Sequence, residues 1–471
     1  MQQNRNSLVD YNWNTFPVVH IDFGAISVET IDVLTKRLQT NLRRIADDYE
    51  VELETDTPAS MFDDLIYALN RKYNTDVVIL IDEYDRPLIE HLDDVSVTET
   101  FRSFMDSFYQ TIKGAEPLLR FVFITGVTKF AKVSVFSKLN NLTDITMDPN
   151  YACMLGYTQQ ELEQYFEPYI RSTVEDGVLN TRNEPLSRDQ MLADIKTWYD
   201  GFRFCDGSDT VYNPVSIGQF FQFNGRFKNY WFATGTPSFL FDLLKKNSLT
   251  LLDVANPTLS DDSFNTFDVT ELAREGVPVE RIQQMLYQTG YLTLDEPRRI
   301  GSGLYRTRFP NHEVELSFVK YLLSVYTKRQ PDSYSIKIRE AAIKGDTESM
   351  METLISFFSG LPYDIQVPAE KYYQNIIYTI LVICGMNVDT EISTNTGRID
   401  AVLDTGKHLY IMEFKLDKDV DAALKQIEDK RYTEIFLMAA KEKRQTVHRL
   451  GINFSYSRND RNIVEWRESL D

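Results

Sequence analysis

Apolar positions in this chain follow two different periods. FPVVHIDF, DVVILIDEYD and LLRFVFITGV are short, continuous apolar runs, the form of strands buried on both faces. Between them ETIDVLTKRLQTNLRRIADDY spaces its apolar residues as an amphipathic helix, and a second helix is expected near 59–73. Buried strands alternating with helices predict an α/β fold with a parallel, doubly wound sheet over about 1–150. Residues 151–335 read as a mostly helical lid or linker, with aromatic-rich stretches such as WYDGFRF and YWFATGTPSFL. After LPYDIQVPAE the pattern changes again. A long apolar helix near 368–385 precedes strands near 387–392, 398–403 and 408–415, then a helix near 420–431 and a strand at IFLMAA. That order, αβββαβ, predicts a separate compact domain over 336–471.

The chain has 471 residues, 43% of them hydrophobic and 13% aromatic, enough for several globular cores. No apolar run is long enough to cross a bilayer. MQQNRNSLVDYNW lacks the apolar stretch of a secretory signal, so the expected location is the cytoplasm. Cys153, Cys205 and Cys384 are far apart and form no CxxC pair, which argues against a disulfide framework or a zinc site. The net charge of −20 argues against loose nucleic-acid binding by the whole surface, and that acidic surface can equally face a protein partner or a second copy in a homo-oligomer. Residues 361–471 hold 15 Lys and Arg against 18 Asp and Glu, a balance of −3, so most of the acidity lies upstream. KEKRQTVHRL could meet phosphates, but it reads first as a solvated helix face.

Strand alternation gives the candidate chemistry. In GRIDAVL, Ile399 and Asp400 leave opposite faces. In HLYIMEFK, Glu413 and Lys415 are two apart and leave the same face. A turn around Asp404-Thr405-Gly406-Lys407 would join the strands as a hairpin and bring Asp400, Glu413 and Lys415 together. Two close carboxylates repel unless a cation lies between them. Mg²⁺ (or Mn²⁺) suits such oxygen ligands, and the Lys415 ammonium could activate a metal-bound water or stabilise developing phosphorane charge. The plain alternative is a surface hairpin closed by an ion pair.

An acid, twelve intervening residues and E-x-K resemble the PD-(D/E)xK nuclease superfamily. The resemblance implies nucleic acid, DNA first, as the partner. It adds Glu370, at the start of the preceding helix, and Glu391, on the strand before GRID, as further metal-binding acids. Gln426 and Tyr432 resemble the accessory Gln and Tyr of the following helix, at a spacing longer than usual.

VVILIDEYD has the form of a Walker B strand, with Asp82 and Glu83 at the carboxyl end of a parallel strand, where such sheets bind ligands. FVFITGVTKF resembles a sensor strand ending at Thr125 and Thr128. The plain reading of Asp85 is an N-cap ahead of Arg86-Pro87. IDEYDRPL, ITGVTKFAKVSVFSKLNNLTDIT, WYDGFRF, VYNPVSI, YWFATGTPSFL, LYQTGYL, FPNHEV and GRIDAVL…IMEFK together resemble a bacterial family of AAA-ATPase-like proteins with a C-terminal PD-(D/E)xK nuclease domain. That resemblance implies nucleotide binding by Asp82, Glu83 and Thr128. The family's G-x4-G-K-S/T phosphate loop does not occur in this sequence. The chain therefore reads as a member without its first βα unit, and ATP as a doubtful cofactor. The expected function is a Mg²⁺-dependent nuclease on a degenerate ATPase-like platform. The alternatives are a nucleotide-switched protein with a nuclease-fold scaffold, and a non-enzymatic interaction protein.

Overall fold

The computed structural model describes residues 14–128, 141–177, 187–231, 240, 243–244, 257–260, 271–272, 276–295, 303–327, 332–360, 370–394, 397–457 and 462–470. They form two compact units, one holding the described residues up to Asn311 and the other those from His312 on. None of the described helices is long and apolar enough to cross a membrane.

The first unit opens with β1 (Val18–Asp22), α1 (Ile31–Asp48), α2 (Pro58–Tyr73), β2 (Val77–Asp82), α3 (Arg86–Ile89), α4 (Val95–Gly114) and β3 (Leu119–Ile124). The strands form a three-stranded sheet in the order β1-β2-β3, and both pairings are parallel as expected, but the strands are not buried on both faces: β1 and β2 bury alternate residues, and β3 buries none, with Phe121 exposed. Polar side chains start the helices: Thr30 accepts from the Val33 amide, Thr57 caps α2 ahead of Pro58, and Asp94 accepts from Ser96 and Val97. Alternate strand residues Val19, Ile21, Ile79 and Ile81 are buried together with Leu34, Leu38, Phe62, Leu65 and Phe108 of the helices. Phe62 and Phe108 stack at 4.9 Å, joining α2 to α4. The register sets Asp22 beside Asp82 at the carboxyl ends of β1 and β2.

The middle of the chain is mainly helical: α5 (Gln159–Glu175), α6 (Arg188–Tyr199) and α7 (Pro214–Gln222). Capping boxes of Thr158 with Glu161 and Ser187 with Gln190 start the first two. Their shared core contains Leu162, Ile170, Met191, Ile195, Tyr199, Tyr212 and Phe220. Next come β4 (Thr258–Ser260), α8 (Val279–Gln288), β5 (Thr293–Leu294) and β6 (Leu304–Arg308), whose strands form a small antiparallel sheet. WYDGFRF packs against the start of FPNHEV. Asn311 Nδ2 donates to the Asp200 carbonyl at 2.9 Å. Gly201 has φ +107°, and a Cβ there would lie 2.0 Å from the Pro310 carbonyl oxygen. Only glycine satisfies both conditions. Of YWFATGTPSFL, residues 232–239 lie outside the described residues.

The second unit contains α9 (His312–Thr327), α10 (Asp332–Lys344), α11 (Thr347–Phe358), α12 (Glu370–Ile383), β7 (Asn387–Ser393), β8 (Arg398–Asp404), β9 (His408–Leu416), α13 (Val420–Asp429), α14 (Glu434–Lys443), β10 (Thr446–Phe454) and β11 (Ile463–Leu470). The five strands form a mixed sheet in the order β11-β10-β9-β8-β7. β7, β8 and β9 are antiparallel, β10 runs parallel to β9, and β11 returns antiparallel along β10. β9 is the middle strand and is buried from Leu409 to Lys415. Ile399, Ile411, Ile427, Tyr432 and Val447 form one of its cores. Elsewhere in the unit Tyr373 stacks on Phe454 at 4.5 Å, and Phe358 meets the same ring edge-on.

One sequence expectation fails here. IFLMAA is helical, lying within α14, and the next strand is β10. The segment carries Glu434 in its first turn and Lys441 and Lys443 in its last, charges that oppose the helix dipole. Arg444 ends it in a left-handed conformation, φ 57°. Within KEKRQTVHRL, Lys441 and Lys443 end this helix, while Arg449 lies on β10 and bonds Glu428 and Ser469.

Candidate active site

The second unit's candidate site sits where β8 and β9 part. Their paired positions run from Asp404–Leu409 to Ala401–Met412. Just beyond, a side chain replaces the ladder: Asp400 Oδ2 accepts the Phe414 amide at 2.8 Å. This bond draws the Asp400 carboxyl toward the two positions that flank Phe414, Glu413 and Lys415. Glu413 is 1% exposed and Lys415 8%. Lys415 Nζ donates to Glu413 Oε1 at 2.9 Å and to the Phe414 carbonyl at 2.9 Å. Glu413 Oε2 is buried and no donor reaches it. An unpaired carboxylate oxygen in a protein interior is costly and marks a place where a cation fits.

Electrostatics couples the group. Burial, then the negative charge of Asp400, push the Glu413 carboxyl up to about 7, against the pull of Lys415. Burial also raises Asp400, while the Phe414 amide, Lys415 and a hydrogen bond shared with the Glu413 carboxyl pull it down. The charge of Glu370, first residue of α12, raises both carboxyls, so this acid stands within electrostatic reach of them. Two neighbouring acids held off their ordinary values, with a buried ammonium on one of them, suit a divalent ion.

The other expected residues are placed as follows. Glu391 belongs to β7, whose register sets Thr390 opposite Ala401 and Ile392 opposite Ile399, so its backbone is level with Asp400. Its side chain lies outside the described residues. Gln426, on α13, reaches the Tyr432 hydroxyl only at 3.5 Å. Tyr432 is not on the helix, which ends at cap residue Lys430. It is buried in the core, and a Cβ added at Gly397 would lie 2.6 Å from its hydroxyl. Among the described residues no group of three or more His, Cys, Asp and Glu side chains is arranged to hold a metal ion, so the candidate cation pair is Asp400 and Glu413.

In the first unit Asp82 ends β2, and its Oδ1 accepts from the Thr125 hydroxyl and, at 3.0 Å, from the Glu83 amide. Glu83 has φ 50°. Burial raises its carboxyl, with Asp22 and Asp82 adding to the shift and Arg86, 3.8 Å away, opposing it. Thr128 does not meet Asp82. Its amide donates to Asp85 Oδ2 at 2.6 Å, and its hydroxyl, also close to Oδ2, bonds the same oxygen. Val127 N adds a bond to Asp85 Oδ1 at 3.2 Å, and Tyr84 donates to the Thr128 carbonyl at 2.8 Å. Asp85 stands at the N-cap position of α3, as expected, but its side chain does not cap the helix. It instead clamps the loop after β3, and complete burial pushes its carboxyl up to about 6. Sequence reasoning missed Thr125 as the partner of Asp82. It also missed Gln374, whose signal was its place one helical turn after Glu370.

Comparisons with known proteins now meet this geometry. Residues 368–466, which hold the fork of β8 and β9, match the family model of the PD-(D/E)XK nuclease superfamily. Residues 4–136 match the model described as a predicted AAA-ATPase, AAA-ATPase-like. The chain thus carries an AAA-ATPase-like domain and a C-terminal PD-(D/E)XK nuclease superfamily domain. A protein of Azotobacter chroococcum mcd 1, described as "Uncharacterized protein in vnfD 5'region", is 29% identical over 468 residues, covering 96% of this chain and 84% of that relative. No solved structure matches the chain.

Proposed function

We propose that this chain is a Mg²⁺- or Mn²⁺-dependent nuclease that hydrolyses phosphodiesters of nucleic acid, DNA foremost, in the cytoplasm of a bacterium. The observation that carries the reading is the buried, unpartnered Oε2 of Glu413, with Lys415 on the other oxygen and the Asp400 carboxyl drawn in by Phe414 N. Asp400 and Glu413 would hold the ion, with Glu370 near enough to add its charge and Glu391 level with Asp400 on the neighbouring strand. A divalent ion in such a site supplies a hydroxide at neutral pH and neutralises charge on the phosphate. Lys415, fixed by two hydrogen bonds, would orient the attacking water and stabilise the extra negative charge on the phosphoryl oxygens. Gln426 and Tyr432 are accessory: Tyr432 supports the start of β8 at Gly397. The AAA-ATPase-like domain serves as a regulatory platform whose Asp82 and Glu83 are remnants of a nucleotide site, or sites whose phosphate-binding partner piece is absent from this sequence.

The test is cleavage of single-stranded, duplex and branched DNA, and of RNA, with Mg²⁺ or Mn²⁺. Cleavage by the wild-type chain should disappear in Glu413→Ala and Lys415→Ala. Activity unchanged in those variants removes the reading.

A further inference from the structure

We propose that Gln374 is a positioning residue of the cation site. The inference rests on the nuclease reading of Asp400 and Glu413 and deepens it. Gln374 lies on α12 four residues after Glu370, so both side chains leave one face of the helix. It is only 6% exposed, and its Nε2 donates to the main-chain carbonyl of Asp400 at 3.0 Å. An amide in a core is retained at a cost unless a partner in fixed geometry offsets it. Here the partner is a strand residue outside the paired positions of β8 with β9, which end at Ala401–Met412. Asp400 is thus held at both ends, its carbonyl by α12 and its carboxyl by the Phe414 amide of β9.

This double hold fixes how far the Asp400 carboxyl stands from Glu413. Oxygen ligands of a small divalent ion must sit within a few tenths of an ångström of their ideal distance, so a slack Asp400 costs affinity. α12 then acts on the site twice, through the charge of Glu370 and through the Gln374 grip on the Asp400 backbone. Gln374 itself touches neither ion nor substrate.

The experiment uses the full chain and Mn²⁺ as probe. Mn²⁺ affinity is measured by calorimetry, and kcat and KM on a DNA substrate, for wild type, Gln374→Met, Gln374→Leu and Glu413→Gln. Circular dichroism establishes that each is folded. Gln374→Leu also removes the amide donor without adding a charge, and serves if the methionine variant does not fold. The inference expects Mn²⁺ binding about 10-fold weaker in the Gln374 variants, a lower kcat and an unchanged KM for DNA. Glu413→Gln should lose the site altogether. Gln374 variants that bind Mn²⁺ as wild type does, while Glu413→Gln has lost it, overturn the inference and leave the nuclease reading standing. A wild-type chain that binds no Mn²⁺ removes both.

Discussion

Asp400 and Phe414 are joined by a side-chain-to-backbone hydrogen bond of 2.8 Å at the point where the pairing of their strands stops. The neighbours of Phe414 in sequence are the buried Glu413 and Lys415. That bond, with the Gln374 hold on the Asp400 carbonyl, brings the Asp400 carboxyl beside two charged side chains that β9 already sets on one face.

The Lys415–Glu413 pair, 2.9 Å apart and nearly closed to solvent, gives a stability prediction. Removing one partner of a buried pair leaves an uncompensated charge, at a cost of roughly 3–5 kcal/mol. Lys415→Met should lower the denaturation midpoint of the second unit in EDTA. The double variant Lys415→Met/Glu413→Gln should recover part of the loss, with a coupling of about 1–3 kcal/mol in a double-mutant cycle. Additive effects would mean that the two side chains do not depend on each other.

Asp85 gives a pH prediction. Its carboxyl titrates at about 6 in the native chain against an ordinary 3.8. Between those values the folded state keeps a proton that the unfolded state has released, so stability falls as pH rises through the window. Asp85→Asn removes this dependence. Relative to wild type, the variant should gain roughly 1–2 kcal/mol between about pH 5 and about pH 7, read by urea unfolding. A constant difference across that range would contradict the clamp's proposed electrostatics.

Gly201 is the one position in WYDGFRF where any side chain fails. With φ +107° and the Pro310 carbonyl where a Cβ would go, Gly201→Ala should destabilise the first unit by roughly 2 kcal/mol or more. Thermal unfolding unchanged from wild type would show that the two stretches do not pack as described.

The first unit should not bind nucleotide tightly. Asp82 is committed to the Thr125 hydroxyl and Thr128 to Asp85. The sequence contains no G-x4-G-K-S/T to cradle phosphates. Calorimetry with Mg-ATP is expected to show no saturable heat at micromolar protein. A clear binding isotherm would restore the nucleotide-switch alternative.

Much of the architecture was legible because burial imposes period. The runs FPVVHIDF, DVVILIDEYD and LLRFVFITGV became β1, β2 and β3, and the two-residue spacing of Glu413 and Lys415 put both on one face. IFLMAA was not legible from periodicity, since a continuous apolar run of six suits a strand or a buried helix equally. Its flanking charges were the better guide. Asp85 looked like a cap because caps are local, whereas its real partners, Val127 and Thr128, are more than forty residues away. Gln374 has a backbone acceptor, which leaves no mark in sequence beyond its helical spacing from Glu370. Tyr432 was placed on a helix that ends three residues earlier, at Asp429, because boundaries are the weakest part of a pattern.

The most direct measurement of the central claim is the position of a bound ion. Crystals of the full chain soaked in Mn²⁺, with diffraction recorded at the manganese edge, should show an anomalous peak between the Asp400 and Glu413 carboxyls, touching Glu413 Oε2. A map with no peak there, or with the ion bound only at other acids, would contradict the account.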